Sequence, residues 1–269
     1  MKILFTDLDG TLLNNESKVS DYSIAVLRRM TSAGHKLVLA SGRPLGSILE
    51  IKALAGLDMP GVYVTANNGS LVYDCDNGVI IFSDPVPMDM VTKIWDMAME
   101  MGVHIQTYTD DEIVTPVEDA EIKKYTIKIH LPIIYADRPE GILKHAPSKM
   151  LGLSFTDLDK LENFRQKILK RYGDILDAIY SEPEYLEIYS KTAGKGAALK
   201  WLCSYLGVPI TDSYAAGDAM NDVSMIEAAG HGIVMSNAGS DVKEHADIIT
   251  EYDNDKDGLA KEIERLILL

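Results

Sequence analysis

Short apolar runs that end in polar residues alternate with amphipathic segments at both ends of this chain. That alternation constrains the fold more than any other feature. "KILFT" (2–6) is the first apolar run. "SDYSIAVLRRMTSAG" (20–34) follows, with Ser20 placed as an N-cap, Ile24, Leu27 and Met30 at helical spacing, and Gly34 as the stop. "KLVLA" predicts a second strand, "SGRPLGSILEIKALAGL" a turn into a second helix, and "VYVTANNG" a third strand ending in a turn. A βαβαβ order requires parallel strands with right-handed crossovers, which is a doubly wound α/β sheet. The last third resumes the rhythm: helix "KGAALKWLCSYLG", strand "SYAAGD", helix "NDVSMIEAAG", strand "HGIVM", short helix "SDVKEHA", short strand "DIIT" and closing helix "DGLAKEIERLIL".

The middle breaks this rhythm. "MDMVTKIWDMAMEMG" is a Met-rich helix, "HIQTYTDDEIVTP" a hairpin turning at Asp110-Asp111, and "KMLGLSF" a strand. The helix "DLDKLENFRQKILKRYG" and the paired strands "DILDAIYS" and "YLEIYS" complete an α+β pattern. The expected organisation is therefore a core of residues 1–83 and 189–269, split by an inserted α+β domain of residues 84–188. The stripe Met88, Met90, Met97, Met99 and Met101 reads as packing within that insert.

Hydrophobic residues are 46% of the 269, enough for a sizeable core. The formal net charge of -15 disfavours a nucleic-acid partner, because phosphate tracking wants a basic face. Cys75 and Cys203 are too far apart in sequence for a disulfide framework or a zinc spacing and read as reduced thiols. The first residues lack the long apolar run of a signal peptide, and no run reaches the roughly 18 residues of a membrane span. The expectation is a cytoplasmic chain with no membrane partner. The sequence sets no oligomeric state.

Four polar clusters fall at predicted strand ends or helix starts: Asp7-Leu8-Asp9-Gly10-Thr11, Ser41-Gly42-Arg43, Lys195-Gly196, and Gly217-Asp218 with Asn221-Asp222. Open α/β sheets bind ligands beyond the carboxyl ends of their strands. Each cluster has a task if the ligand is a phosphate ester. Asp7, tied to the strand end, is the better candidate to attack phosphorus. Asp9 is placed to protonate the leaving oxygen and then to deprotonate water. Gly10 lets the turn bring Asp9 back over the site, and Thr11 holds the loop. Carboxylates beside a phosphate dianion need a hard cation, and Mg²⁺ suits such oxygen donors. Asp7 and Asp218, the Asp9 carbonyl and, as a further candidate, Asp222 would hold it. Ser41 and the amides near Gly42 would cradle phosphate oxygens, and Lys195 would offset the charge that develops in transfer. Each cluster alone reads as well as an ordinary turn or cap; their joint occurrence in this order favours catalysis.

"DLDGT", "ASGR", "GKGAAL" and "GDAMND" resemble the four motifs of the haloacid dehalogenase superfamily, and the whole chain, including "NNGS" and the long insert, resembles its Cof-type sugar-phosphatase branch. The resemblance implies a Rossmann-like core with an inserted C2-type cap that covers the phosphate pocket and chooses the substrate. It implies Mg²⁺-dependent hydrolysis of a small phosphorylated metabolite through a phosphoaspartate. It makes Asp7 the nucleophile and Asp9 the acid and base. Ser41 and Lys195 would bind the transferring phosphoryl group; Asp7, the Asp9 carbonyl and Asp218 would be metal ligands. Asn221 would support the site and Asp222 would stand behind the metal ligands. Gly194 departs from the family, which often has Asn or Ser before the third-motif Lys. The intact Asp9 favours phosphatase or mutase chemistry over the branches that lack it. Asn68, Arg43, Lys149 and Glu184 are the candidates for contacting the leaving group, although Lys149 and Glu184 read more readily as plain surface charges, and His104 and His130 read as structural or exposed. A phosphosugar mutase and a non-catalytic metabolite sensor are the alternatives.

Overall fold

The structure, a computed structural model, describes residues 1–109, 112–127 and 131–268. The expected turn at Asp110-Asp111 and His130 lie outside the described residues. The chain divides into two compact units, Met1–Ser83 with Gly194–Leu269, and Asp84–Ala193. The second unit ends past the expected residue 188 because its last strand runs on to Ser190.

In chain order the first unit supplies β1 (Ile3–Thr6), α1 (Asp21–Ser32), β2 (Lys36–Ala40), α2 (Leu45–Leu54), β3 (Val62–Ala66), β4 (Leu71–Asp74) and β5 (Val79–Ser83). The second unit is α3 (Met88–Met101), β6 (His104–Tyr108), β7 (Ile113–Thr115), α4 (Ala120–Tyr125), β8 (Ile133–Tyr135), β9 (Met150–Leu153), α5 (Leu158–Tyr172), β10 (Leu176–Glu182) and β11 (Tyr185–Ser190). The chain then returns through α6 (Lys195–Leu206), β12 (Ser213–Gly217), α7 (Val223–Ala228), β13 (His231–Val234), α8 (Ser240–Lys243), β14 (Ile248–Ile249) and α9 (Gly258–Ile263).

The first unit is built on an eight-stranded sheet in the order β14-β13-β12-β1-β2-β3-β4-β5. Its strands are parallel from β14 to β3, and β4 and β5 add antiparallel. The apolar run of β1 has a direct cause. Leu4 packs with Val26, Leu27 and Met30 of α1 on one face, while Ile3 and Phe5 pack with Ala198, Leu199 and Leu202 of α6 on the other. Alternate side chains of a strand face opposite sides, so a strand covered by helices on both must be apolar throughout. Each such side chain contributes about 1.5–3 kcal/mol on burial. Ser20 caps α1 as expected, its hydroxyl accepting from Ser23 N at 3.0 Å.

β1 lies between β2 and β12. The chain leaves β1 toward β2 and β3, and after the second unit it returns to the other side of β1 as β12. That reversal is the topological switch point, where the carboxyl ends of neighbouring strands splay into a crevice. The polar stretches after β1 and β12 both begin there.

The second unit holds a six-stranded sheet in the order β10-β11-β9-β6-β7-β8, antiparallel except for the β7–β8 pair. Ile94, Trp95, Phe164 and Ile168 of α3 and α5 pack against Ile105, Met150, Leu186 and Ile188 of the strands. Met90 and Met97 are buried in this cluster, as the packing reading expects, while Met99 is exposed. Among the described residues no helix is long and apolar enough to cross a membrane.

Candidate active site

β1 delivers Asp7 to the crevice. Its amide donates to Ala216 O of β12 at 2.9 Å, which extends the sheet ladder by one bond and fixes where the side chain emerges. Asp7 and Lys195, 188 positions apart, meet there. Lys195 Nζ donates to Asp7 Oδ1 and to Asp222 Oδ1, each at 2.6 Å. Lys195 is 1% exposed, Asp222 0% and Asp7 7%. A buried ammonium is tolerated only when paired and fully hydrogen-bonded. Here burial alone would lower the Lys195 pKa, but the two carboxylates outweigh it and the net shift is upward. For Asp7 burial is the larger influence and raises the carboxyl above its ordinary range; Lys195 opposes that rise, and Asp222 and Asp218 add to it.

Asp222 has a second attachment. Its Oδ2 accepts from the amides of Asp218 and Ala219 at 3.1 Å each. The turn after β12 is thus folded around that carboxylate, and Gly217 must lack a side chain, since a Cβ there would lie 2.3 Å from Asp222 Cβ. Both oxygens of Asp222 are committed to protein donors.

Asp218, half-buried, accepts from Thr11 Oγ1 at 2.9 Å through Oδ1. Burial raises its pKa, the Thr11 bond lowers it, and Asp222 raises it further. Gly10 turns the chain beneath it at φ +77, where a Cβ would sit 2.3 Å from Asp218 Oδ2. Two reasons therefore demand glycine: the left-handed backbone and the carboxylate against it. The turn carries Asp9 outward. The Asp9 carboxylate is gripped by Arg43, whose Nε and Nη2 donate to its two oxygens at 2.8 Å each. Asn237 Nδ2 donates to Gly10 O at 2.8 Å and ties the same turn to the segment after β13.

The segment after β2 lies beside this. Ser41 is buried, and its Oγ accepts from the Arg43 amide at 3.2 Å, with Gly42 between them. Asn68, in the left-handed region at φ 55, donates its amide to Ser41 O at 3.1 Å and accepts from Asn221 Nδ2 at 3.3 Å. All four sequence clusters thus come together at the switch point. Sequence reasoning missed two features: Asn237, which has no local pattern to mark it, and the pairing of Arg43 with Asp9.

The candidates in the second unit are placed differently. Lys149 is mostly buried and pairs with Glu187 at 3.1 Å, so it is not a plain surface charge. Glu184 sits in the turn between β10 and β11 and uses its carbonyl to accept from Ser154 N at 3.2 Å. His104 is buried in a polar network, with Nδ1 2.8 Å from Asp119 Oδ2 and Nε2 3.3 Å from Gln106 Oε1, and is structural.

Carboxylate oxygens of Asp7, Asp218 and Asp222 lie within 4.8 Å of one another and could hold a metal ion. Lys195 occupies Oδ1 of Asp7 and Thr11 occupies Oδ1 of Asp218, so Oδ2 of each is the atom best placed to serve a cation. Carboxylate oxygens that repel one another fit a hard cation. The full engagement of Asp222 makes it the weakest of the three as a direct ligand.

The family model of haloacid dehalogenase-like hydrolases matches residues 4–263. The chain is similar to the 5-amino-6-(5-phospho-D-ribitylamino)uracil phosphatase YwtE of Bacillus subtilis, 31% identical over 297 residues, covering 99% of this chain and 98% of that protein. It is also similar to the pyridoxal phosphate phosphatase YbhA of Escherichia coli, 28% identical, covering 97% of this chain and 96% of that one. Among solved structures, a haloacid dehalogenase-like hydrolase from Bacteroides thetaiotaomicron superposes with a TM-score of 0.85 at 30% identity, covering 98% of this chain and 99% of that chain.

Proposed function

The chain belongs to the haloacid dehalogenase-like hydrolase family, and from that membership we propose that it is a Mg²⁺-dependent phosphatase of small phosphate monoesters working through an aspartyl-phosphate on Asp7. The observation that carries this reading is the Asp7–Lys195–Asp222 arrangement at 2.6 Å, with a second carboxylate, Asp9, two residues along the same loop. Two relatives named as phosphatases of small phosphorylated metabolites support the substrate class.

The Asp7 carboxylate attacks phosphorus, and the ester oxygen departs with a proton from Asp9. Water then attacks the acyl phosphate and gives its proton to the Asp9 carboxylate, which frees Asp7 and inorganic phosphate. Ser41 and the neighbouring amides hold phosphoryl oxygens, and Lys195 offsets the charge gathered on them in transfer. Asp222 keeps Lys195 aimed and the Asp218 turn closed. Asp7, Asp218 and the Asp9 carbonyl would hold the cation; when bound, Mg²⁺ screens the carboxylates from the phosphate dianion and polarises the phosphoryl group. We assign the choice of leaving group to the inserted unit, residues 84–193.

The test is phosphate release from a panel of sugar, ribityl and pyridoxal phosphates and an aryl phosphate, with and without Mg²⁺, beside Asp7→Asn. Metal-dependent release that the variant loses is the expected result. No release from the unsubstituted protein on any ester, with Mg²⁺ bound, would sink the reading.

A further inference from the structure

Asp9 has one set of hydrogen-bond donors among the described residues, the Arg43 fork, and the fork takes both carboxylate oxygens. Such a bidentate pair is stronger and more directional than a single ion pair. It also engages both carboxylate oxygens with one partner. A carboxyl that is to serve an ester oxygen must first leave the fork. Arg43 is anchored for an exchange: its amide is bonded to Ser41 Oγ, at the start of the phosphate cradle, and its guanidinium feels the charge of Asp7. A phosphate dianion offers the same two-oxygen geometry that the fork now finds on Asp9.

We propose that Arg43 is a substrate-exchanged clamp: it holds Asp9 idle in the free enzyme and releases it when a phosphate dianion takes the guanidinium. The clamp is a positioning device, and it rests on the proposed roles of Asp9 as acid and base and of the Ser41 segment as phosphate cradle. It has a thermodynamic consequence. Bringing Arg43 to phosphate costs the Arg43–Asp9 bond, so removing Asp9 should strengthen phosphate binding, and should do so only while Arg43 is present.

The experiment is a double-substitution cycle read by calorimetry with inorganic phosphate and saturating Mg²⁺. Asp9→Asn should bind phosphate about fivefold more tightly than the unsubstituted protein, the scale of a well-formed exposed ion pair. Arg43→Met should bind more weakly, and adding Asp9→Asn to Arg43→Met should change affinity by less than about twofold. If the gain from Asp9→Asn persists in the Arg43→Met background, simple repulsion between Asp9 and phosphate explains it and the clamp is overturned. No gain in either background also overturns it. Ester hydrolysis by the unsubstituted protein, measured alongside, keeps the failure of the clamp distinct from failure of the phosphatase reading.

Discussion

Lys195 Nζ stands 2.6 Å from Asp222 Oδ1, and neither side chain reaches solvent. Removing one member of a buried ion cluster costs about 3–5 kcal/mol, and without Asp222 the buried Lys195 is left to Asp7. Asp222→Ala also deprives the Asp218 and Ala219 amides of their acceptor. It should therefore lose about 3–5 kcal/mol in urea unfolding. Asp9→Ala, which breaks an exposed pair, should lose no more than about 1 kcal/mol. Equal losses would show that Lys195 and Asp222 do not form a stabilising ion cluster.

Gly10 is fixed by its backbone and by the Asp218 carboxylate 2.3 Å from where a Cβ would lie. Gly10→Ala must push Asp218 aside or unwind the turn that carries Asp9. Activity should fall at least about tenfold, and more Mg²⁺ should be needed for half-maximal rate, because a displacement near ~1 Å at a reacting centre costs about that factor or more. Gly46→Ala, within α2 and with open space around it, should instead stabilise the fold by about 0.5–1 kcal/mol. Unchanged kinetics in Gly10→Ala would refute the close approach.

Much of this is legible because the sequence carries local signals. The apolar run of β1, the Ser20 cap and the stretches Asp7–Thr11 and Gly217–Asp222 each combine a period with a residue type. What is not legible depends on pairings between distant positions. Arg43 and Asp9 come from different strand ends, and only the β1–β2 register sets them opposite each other. Asn237 reaches Gly10 from 227 positions away. Asp222 reads as a metal-ligand candidate in the sequence because it is acidic and near Asp218, and it stands in the acidic cluster; its bonds to Lys195 and two amides follow from the turn's closure, which spacing does not encode. In the second unit, α4 and β8 are too short to show periodicity, and β8 finds its parallel partner β7 only through the tertiary fold.

Asn237 offers a test of the loop that carries Asp9. Its amide bond to Gly10 O is the tie from the segment after β13, and its own Oδ1 accepts from Asn254 N at 3.3 Å. Asn237→Ala frees the Gly10 carbonyl and the Asn254 amide at a site open to water, so stability should drop by about 0.5–1.5 kcal/mol. The rate should drop severalfold through kcat, with KM little changed, since the residue touches the loop and not the phosphate cradle. A change confined to KM would reassign Asn237 to substrate binding.

The thiols predict a loss of stability in alkali. Burial pushes Cys203 and Cys75 up to about 11 from an ordinary value of 9.0. A group whose folded pKa is raised contributes stability that is whole below its unfolded pKa and fades as pH rises through the folded one. The window is therefore about pH 9 to 11. Unfolding free energy should fall across it, and Cys203→Ala should fall less steeply although it starts lower. Equal slopes for the two proteins would show that Cys203 titrates alike in the folded and unfolded chain.

The acidic cluster makes the proposed cation a question of stability as well as of catalysis. Asp7 and Asp218 are both raised, first by burial and then by neighbouring carboxylates, Asp222 among them, so the site without a cation is electrostatically uncomfortable. A ligand bound by the folded chain alone stabilises it by RT ln(1 + [L]/Kd), about 2.7 kcal/mol at one hundred times Kd. Mg²⁺ at that level should raise the unfolding free energy of the unsubstituted protein by about that amount. Asp218→Asn keeps the size of the side chain and an oxygen for Thr11 but offers a weaker metal donor, so it should lose most of the increment while unfolding almost normally without Mg²⁺. Asp222→Asn should keep more of it, because Asp222 already spends both oxygens on Lys195 and the turn amides. Losing more of the Mg²⁺ increment in Asp222→Asn than in Asp218→Asn would invert the assignment and make Asp222 the direct ligand. An increment that neither variant alters would place the cation away from this crevice.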